Sequence, residues 1–395
     1  MATYKEQNKL NVPHLRFPEF HGEWEKCKLG DIATLTKGSG ISKDQRSATG
    51  TPCILYGELY TTYKSEVIDY VVSKTDISDK NLVRSCANDI IIPSSGETAI
   101  DISTARCVLS PDVLLGGDLN IIRLKDGDGR FFSYQLNGVR KHDIAKIAQG
   151  VSVVHLYGES IKGLTVSFPS NKEQQKISTL LSLIDERIAT QSKLIEDLKK
   201  LKSAIIEKLY SEIQGKEYSY RQLFEIINER NNRLEFSNVL SASQERGMVS
   251  REDLNLDIKF ERSNIYTYKI VRNGDYVIHL RSFQGGFAFS DIVGVCSPAY
   301  TIMRPKDLLE YGYLSYYFTS RQFIKSLVIV TYGIRDGRSI NVDEWFDMKI
   351  VIPTKEQQRH IVRTIKVFEN KIENEEMYAS CLLKQKQHLL RQMFI

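Results

Sequence analysis

The stretch PSNKEQQKISTLLSLIDERI, residues 169–188, predicts the start of a long amphipathic helix. Ser170 and Glu173 have the spacing of a capping box, in which a hydroxyl and a carboxylate bind the backbone N–H groups that a helix start leaves free. Apolar residues then recur at alternating steps of four and three, the heptad pattern of a coiled coil. The seam residues are Ile177, Leu181, Ile184, Ile188, Ile195, Leu198, Ile205 and Leu209, with Gln191 and Lys202 as polar interruptions.

The same pattern occurs again 184 residues later. Pro353 and Thr354 repeat the start of the helix, and Gln357 takes the place of Glu173. The second seam contains Ile361, Ile365, Phe368, Ile372, Ala379, Leu382, Leu389 and Met393, with Glu375 and Lys386 as its polar interruptions. A shared cap, phase and set of interruptions at one offset indicates an internal repeat.

The polar interruptions predict how the two helices pair. In an antiparallel coiled coil, placing Lys202 opposite Glu375 also places Gln191 opposite Lys386, so one register pairs both interruptions. The same register pairs apolar residues elsewhere, namely Ile188 with Leu389, Ile195 with Leu382, Ile205 with Ile372 and Leu209 with Phe368. The alternative is two separate amphipathic helices, each lying on its own domain.

Length and composition fit a globular protein of two or three domains. The chain has 395 residues, of which 42% are hydrophobic and 26% charged. No secretory signal or membrane-spanning run is recognisable, so we expect a cytoplasmic protein. The six cysteines form no CxxC pair, which disfavours a zinc site or a disulfide framework and indicates small buried apolar residues. A net charge of only +5 means that any affinity for nucleic acid must come from local clusters and from partners.

Around the helices, short strands and turns predict two α+β domains. We expect a first domain over residues 1–169, a central helix over 170–215, a second domain over 216–353 and a C-terminal helix over 354–395. Framework segments correspond between the domains: residues 274–278 match 88–92, residues 315–316 match 133–134, and residues 223–226 match 29–32. The predicted fold is therefore a pseudo-twofold repeat of α+β domains, separated by two long helices that form an antiparallel coiled coil.

Motifs of catalysis are mostly missing from the sequence. It contains no GxxxxGK[ST] phosphate loop and no N-P-P-[YF] loop of an amino-methyltransferase, and residues 127–129 are interpreted as a hairpin turn. The best nuclease candidate combines Asp112 and Asp118, but Asn120 stands where a catalytic lysine is usual. The histidines lack paired metal-ligand spacing. We therefore predict no catalytic residue and no metal site.

Binding chemistry is instead concentrated in loops rich in glycine and serine. Arg and Gln on such loops suit major-groove readout, because bidentate Arg–guanine and Gln–adenine pairs each discriminate by roughly 1–3 kcal/mol. The alternative is that any one of these residues belongs to an ordinary solvated loop. The candidates in the first domain are Lys37, Lys43, Gln45, Arg46, Ser94, Ser95, Glu97, Thr98, Gln149 and His155. Those in the second domain are Ser243, Gln244, Arg246, Arg281, Gln284, Tyr332, Arg335 and Arg338.

This layout resembles the specificity subunit of type I restriction-modification enzymes. The likeness rests on PSNKEQQKI at 169–177, on PTKEQQRHI at 353–361 and on the opening LRFPEFHGEWEKCKLGDI at 15–32. The resemblance implies two target-recognition domains that each read half of a split DNA sequence, with the helices fixing the gap. It also implies two methyltransferase subunits that carry S-adenosylmethionine, and ATP- and Mg-dependent motor/endonuclease subunits, as partners.

The predicted rod is long enough for that role. About 40 residues at about 1.5 Å each span about 60 Å, which would hold two readers over separated half-sites. Two other functions stay open at this point. One is a two-headed coiled-coil adaptor for a non-DNA ligand, which would bind without salt dependence. The other is a self-sufficient nuclease, which would cleave DNA in a metal-dependent reaction sensitive to Asp112 and Asp118.

Overall fold

A computed structural model describes residues 10–77, 81–243, 246–254, 262–279, 286–332 and 339–395. The chain divides into two compact units, Met1–Ser192 with Met377–Ile395, and Lys193–Glu376. The boundary residues Ser192 and Glu376 are themselves 184 residues apart, which is the offset of the sequence repeat. Each unit contains one α+β domain and a segment of both long helices.

The domain of the first unit alternates short strands and short helices. Its elements are β1 (Glu25–Lys28), α1 (Leu29–Ile32), β2 (Ala33–Lys37), β3 (Thr51–Ile54), α2 (Glu58–Thr61), β4 (Val67–Ile68), β5 (Lys74–Thr75), β6 (Asp89–Pro93), β7 (Ser95–Gly96), α3 (Ala99–Ile102), β8 (Arg106–Val108), β9 (Leu114–Leu115), β10 (Leu119–Leu124), α4 (Gly129–Asn137), α5 (Lys141–Ile147), β11 (Val154–His155), α6 (Gly158–Lys162) and β12 (Thr165–Phe168). The first long helix, α7 (Asn171–Ser211), follows.

The central sheet of this domain has the strand order β2-β10-β6-β8-β4. Its middle strand β6 is fully buried and mostly apolar, and the first four residues of the neighbouring β10 are buried as well. Strands β1 and β12 pair antiparallel beside it and bring the two ends of the domain together. The core combines this sheet with α4 and with apolar residues at the start of α7 and the end of the chain.

The second unit repeats this plan. Its elements are β13 (Lys216–Ser219), α8 (Tyr220–Leu223), β14 (Phe224–Ile227), β15 (Leu240–Ser243), β16 (Gly247–Ser250), β17 (Lys269–Val271), β18 (Tyr276–Ile278), β19 (Phe287–Phe289), β20 (Gly294–Cys296), β21 (Thr301–Pro305), α9 (Tyr313–Tyr317), α10 (Arg321–Ser326), β22 (Thr331–Tyr332), β23 (Ser339–Ile340), α11 (Val342–Asp347), β24 (Lys349–Ile352) and the long helix α12 (Lys355–Gln392). Its sheet order β14-β21-β18-β19 matches β2-β10-β6-β8, and β13 pairs with β24 as β1 pairs with β12.

A buried carboxylate marks the start of the equivalent strands β6 and β18. Asp89 accepts hydrogen bonds of 2.8 and 2.6 Å from Arg123, and Asp275 accepts bonds of 2.8 and 2.9 Å from Arg304. The residue before each aspartate has a positive φ, supplied by Asn88 in one domain and by a glycine in the other. The predicted correspondence of residues 88–92 with 274–278 is therefore confirmed by the same turn and the same ion pair.

The long helices run antiparallel within each unit. In the first unit, Ile177 and Leu181 of α7 share a core with Met393 near the end of the chain. In the second unit, Ile206 and Tyr210 near the end of α7 share a core with Ile361, Val362 and Ile365 at the start of α12. Every seam position named from the sequence is buried or partly buried, whereas most other helix positions are exposed.

The register predicted from the polar interruptions is wrong. Lys202 Nζ lies 3.4 Å from Glu369, six residues before the predicted partner Glu375, which itself pairs with Lys371 on its own helix. Lys386 likewise contacts Asp185, six residues before its predicted partner Gln191. The prediction considered only seam positions. The actual partner, Glu369, lies next to the seam and also accepts a hydrogen bond from Tyr316 of the domain.

Several local predictions also need correction. Glu173 does not act in a simple capping box, because both of its carboxylate oxygens accept hydrogen bonds from Arg16; the second helix has the predicted cap between Thr354 and Gln357. Residues 127–129 form a strand-to-helix turn in which Asp128 caps α4. The counterpart of α1 is α8, three residues earlier than predicted. Two of the cysteines, Cys86 and Cys381, are exposed.

Candidate nucleic-acid interface

One end of the central sheet of the first domain gathers several of the predicted contacts. The last residue of β2, Lys37, is exposed and lies opposite Asn120 at the start of β10. Ser94 and Ser95 directly follow β6, whose last residue pairs with the first residue of β10. Because these strands are antiparallel, the end of β2, the end of β6 and the start of β10 lie at the same edge. Of these candidates, Ser94 is buried, and its backbone binds Asp118 and Leu156.

A hairpin loop over residues 149–155 projects from this edge. The backbones of Gln149 and His155 exchange hydrogen bonds of 2.9 and 2.7 Å, and His155 also pairs with Ser95 across β11 and β7. Gly150 has a φ of +124°, and a side chain there would collide with the Val153 carbonyl, so the turn requires glycine. The structure thus brings three predicted residues together on one small sheet.

Sequence reasoning missed the tip of this hairpin. Val151 is 98% exposed, and Val153 is also largely exposed. Two outward-facing valines thus offer an apolar surface between the hydrogen-bonding side chains of Gln149 and His155. In DNA-binding proteins, apolar side chains contact thymine methyl groups or insert between base pairs, and polar side chains bind base edges. The only sequence signal for this arrangement is the glycine that precedes Val151.

Asn120 has a structural role rather than a place in a nuclease site. Its side chain is buried and donates a 2.8 Å hydrogen bond to the Leu156 carbonyl, immediately after the hairpin. Among the described residues, no cluster of three or more His, Cys, Asp and Glu side chains could hold a metal ion. Asp112, the first acid of the nuclease candidate, has a positive φ, and its carbonyl accepts a hydrogen bond from Arg84.

The loop after β2 holds a second group of candidates. Lys43 and Gln45 lie in a 3-10 turn, and the Gln45 side chain accepts a 2.8 Å hydrogen bond from the Ser42 backbone N–H. The guanidinium of Arg46 lies 3.6 Å from the buried Glu58 carboxylate. Lys43 is therefore the freest of the three to meet a phosphate, whereas Gln45 and Arg46 already have partners inside the domain.

The start of α3 contains the remaining candidates of the first domain. Thr98 is the N-cap of this helix: its hydroxyl accepts a hydrogen bond from the Asp101 backbone and donates one to the Asp101 carboxylate. Glu97, the residue before it, is exposed. Thr98 thus positions the turn, and Glu97 presents a carboxylate able to accept from a base amine.

The candidates of the second domain are divided between different loops. Ser243 and Arg246 flank the tip of the β15–β16 hairpin, where the Ser243 hydroxyl accepts a 3.3 Å hydrogen bond from the Arg246 backbone. This tip lies beside Phe289, which pairs with Tyr276, the first residue of β18. Tyr332 belongs to β22, which pairs with β23. Five candidates lie outside the described residues: Gln244, Arg281, Gln284, Arg335 and Arg338.

Many other cations already have structural partners. Arg106 is buried and donates to the carbonyls of Leu59, Tyr63 and Ala105; burial lowers the pKa of its guanidinium. Hydrogen bonding to Asp89 raises the pKa of Arg123 instead. These arginines stabilise the domain, whereas the predicted contact residues Lys37 and Lys43 are exposed.

Residues 21–200 match the family model of the type I restriction modification DNA specificity domain. The MjaVIII type I restriction enzyme specificity subunit of Methanocaldococcus jannaschii is 23% identical over 410 residues, covering 94% of this chain and 92% of that protein. The chain is similar to type I specificity subunits along almost its whole length. A specificity subunit recognises DNA and is not itself catalytic, and the comparisons give no support to the alternative of a non-DNA adaptor.

Solved structures share the fold of this chain. The S subunit of a type I restriction-modification system from Mycoplasma genitalium has a TM-score of 0.56 at 16% identity, covering 97% of this chain and 99% of that one. A chain from a study of complex assembly and conformational transition in a type I system has a TM-score of 0.60 at 14% identity, covering 94% and 97%. Within the described ranges, the chain has no helix long and apolar enough to cross a membrane.

Proposed function

We propose that the two domains each read one half of a bipartite DNA target and that the long helices set the distance between the halves. The observation that carries this proposal is the repeat: both domains share a strand order, a buried Asp–Arg pair and a long helix, while the loops around these frameworks differ. A shared framework with different loops is what two readers of unlike half-sites require.

In the first domain, the hairpin over residues 149–155 and the exposed Lys37 and Lys43 form the proposed DNA face. Gln149 and His155 supply hydrogen-bonding groups for base edges, Val151 supplies an apolar contact, and the lysines meet phosphates. In the second domain, the hairpin of β22 and β23 follows a helix and precedes α11, in the same order as the first hairpin follows α5 and precedes α6. We propose that each of these two hairpins contacts the base edges of one half-site and that the two half-sites differ in DNA sequence.

The helices also serve as the docking surface for two methyltransferase subunits and for the motor/endonuclease subunits. In this scheme S-adenosylmethionine, ATP and Mg belong to those partners, and the chain acts with them on DNA in the cytoplasm. Binding to DNA would fall as salt rises, because lysine–phosphate contacts release counterions.

The experiment is to co-express the chain with its methyltransferase subunit and map methylated adenines by sequencing the host DNA. The proposal expects one motif with two defined halves separated by a fixed number of unspecified base pairs. A continuous motif without a gap would contradict the two-reader arrangement. Replacing residues 149–155 with a Gly-Ser loop should then alter one half of the motif and leave the other half unchanged.

A further inference from the structure

A buried ion cluster connects three elements within the first unit. Lys386 of α12 is only 9% exposed, and its Nζ lies 2.5 Å from Asp185 Oδ1 of α7 and also contacts the Glu66 carboxylate of the domain. The Tyr134 hydroxyl of α4 donates a 2.8 Å hydrogen bond to Asp185, and Ser65 donates another of 3.0 Å. The lysine therefore fixes α12 to α7, while the tyrosine fixes the domain to the same carboxylate.

The second unit contains the same arrangement. Lys202 Nζ of α7 lies 3.4 Å from Glu369 Oε1 of α12, and the Tyr316 hydroxyl of α9 donates a 2.7 Å hydrogen bond to Glu369 Oε2. Lys202 and Lys386 are 184 residues apart, and so are Asp185 and Glu369. The two clusters are thus equivalent under the internal repeat, although neither acid belongs to the apolar seam.

The clusters differ in strength. Lys386 faces two carboxylates in a buried site. Removing its charge would take the ion-pair partner from both Asp185 and Glu66 and leave only the electrostatic attraction of the buried Arg106, which is costly. Lys202 and Glu369 are partly exposed, at 29% and 38% of their side chains, so that pair contributes less. An apolar seam alone would tolerate a shift by one heptad. A lysine that must meet one particular acid, which a tyrosine of the domain also binds, specifies a single register.

We propose that these two Lys–carboxylate–Tyr clusters are positioning sites that hold the helices in one register and fix each domain on the helix pair, and that they thereby determine the spacer length of the DNA target. This inference rests on the proposed function. The clusters touch no DNA in this scheme; they act through the positions of the two readers.

The test uses the complex with the methyltransferase subunits and a set of DNA duplexes that carry the mapped half-sites with spacers from two base pairs shorter to two longer. Lys386→Met keeps the apolar stem and removes the charge, and Lys384→Met, an exposed lysine on the same helix, is the matched control. We expect the preference for the native spacer over its neighbours to fall at least about tenfold in Lys386→Met and to stay unchanged in the control, with both half-sites still required.

Two milder variants keep the test decisive if Lys386→Met does not fold. Tyr316→Phe removes only the hydroxyl that links α9 to Glu369, and we expect it to relax spacer preference by a few-fold. The swap of Lys202→Glu with Glu369→Lys restores an ion pair and should recover more preference than Lys202→Glu alone. Folded variants that methylate with an unchanged single spacer would overturn the inference, whereas a wild-type motif without two halves would overturn the proposed function instead.

Discussion

The side-chain oxygen of Gln174 accepts a 2.9 Å hydrogen bond from the backbone N–H of Asp128, which ties the first turn of α7 to the start of α4. The amide nitrogen of Gln174 also donates to the Pro169 carbonyl. Gln358 repeats this link in the second unit, since it accepts from the Glu310 backbone and donates to the Pro353 carbonyl. In both units, the glutamine five residues after the proline therefore joins the long helix to its domain.

Replacing Gln174 with alanine should destabilise the first unit. The variant leaves the buried Asp128 N–H and the Pro169 carbonyl without their partner, which costs about 1–3 kcal/mol. The free energy of unfolding in urea measures the loss. Gln175→Ala is the control, because that neighbouring side chain is exposed. Equal stability of the two variants would show that the link contributes nothing.

The framework of the fold could be predicted because its signals are local. The seam from Ile177 to Leu209 follows from heptad spacing, and the strand at Asp89–Pro93 follows from an apolar run after a turn. The repeat of that turn at Asp275 was visible as a similar short sequence. Each of these features depends on residues a few positions apart, so sequence alone identifies them.

The register of the helices could not be predicted in the same way. It depends on Asp185 and Glu369, which look like ordinary polar helix positions until Tyr134 and Tyr316 reach them from the domains. These contacts join residues about 50 positions apart. A pattern search along one helix has no access to such contacts, and polar interruptions of the seam therefore suggested the wrong partner for Lys202.

The candidate DNA face was predictable as a set of loops but not residue by residue. Gln149, His155 and Ser95 come together because β11 happens to pair with β7. Arg46 belonged to an equally plausible loop, yet it pairs with the buried Glu58. Sequence shows which side chains could read a base, whereas only tertiary structure shows which of them already have a partner.

The cysteines should fall into two reactivity classes. Burial raises the pKa of Cys53 to about 11 and that of Cys296 to about 12, so that at pH 8 at most about one thiol in a thousand is the reactive thiolate. Burial also raises the pKa of Cys107 and of Cys27. Cys86 and Cys381 are exposed.

We therefore expect rapid reaction of Cys86 and Cys381 with an aromatic disulfide reagent at pH 8, followed by slow reaction of the others. Absorbance of the released thiolate counts the groups, and denaturant should make all of them react quickly. In Cys381→Ser the rapid phase should fall by half. A rapid phase that included Cys53 or Cys296 would mean that their strands open readily in the native protein.

The hairpin over residues 149–155 should determine one half-site. Val151→Ser removes the apolar tip, and Gln149→Ala removes a hydrogen-bonding group, so each should relax one or two base positions by roughly 1–3 kcal/mol of discrimination. Methylation of duplexes with single base changes by the complex with the methyltransferase measures the effect. Leu109→Ser is the control, because this exposed residue follows β8 at the opposite end of the sheet. Loss of discrimination in both half-sites at once would argue against a local contact.

Lengthening both helices by one heptad should change the spacer without changing either half-site. Insertion of seven residues after Ser192 and again after Glu376 keeps the seam in phase and respects the internal repeat. At about 1.5 Å per residue the pair grows by about 10 Å, which corresponds to about three base pairs. Sequencing of methylated DNA reads the new motif, and an insertion after Ser192 alone serves as the control, because it misaligns the two helices and should lower methylation at every spacer. If the double insertion altered the bases of a half-site while the gap stayed the same, the helices would not be setting the distance between the two readers.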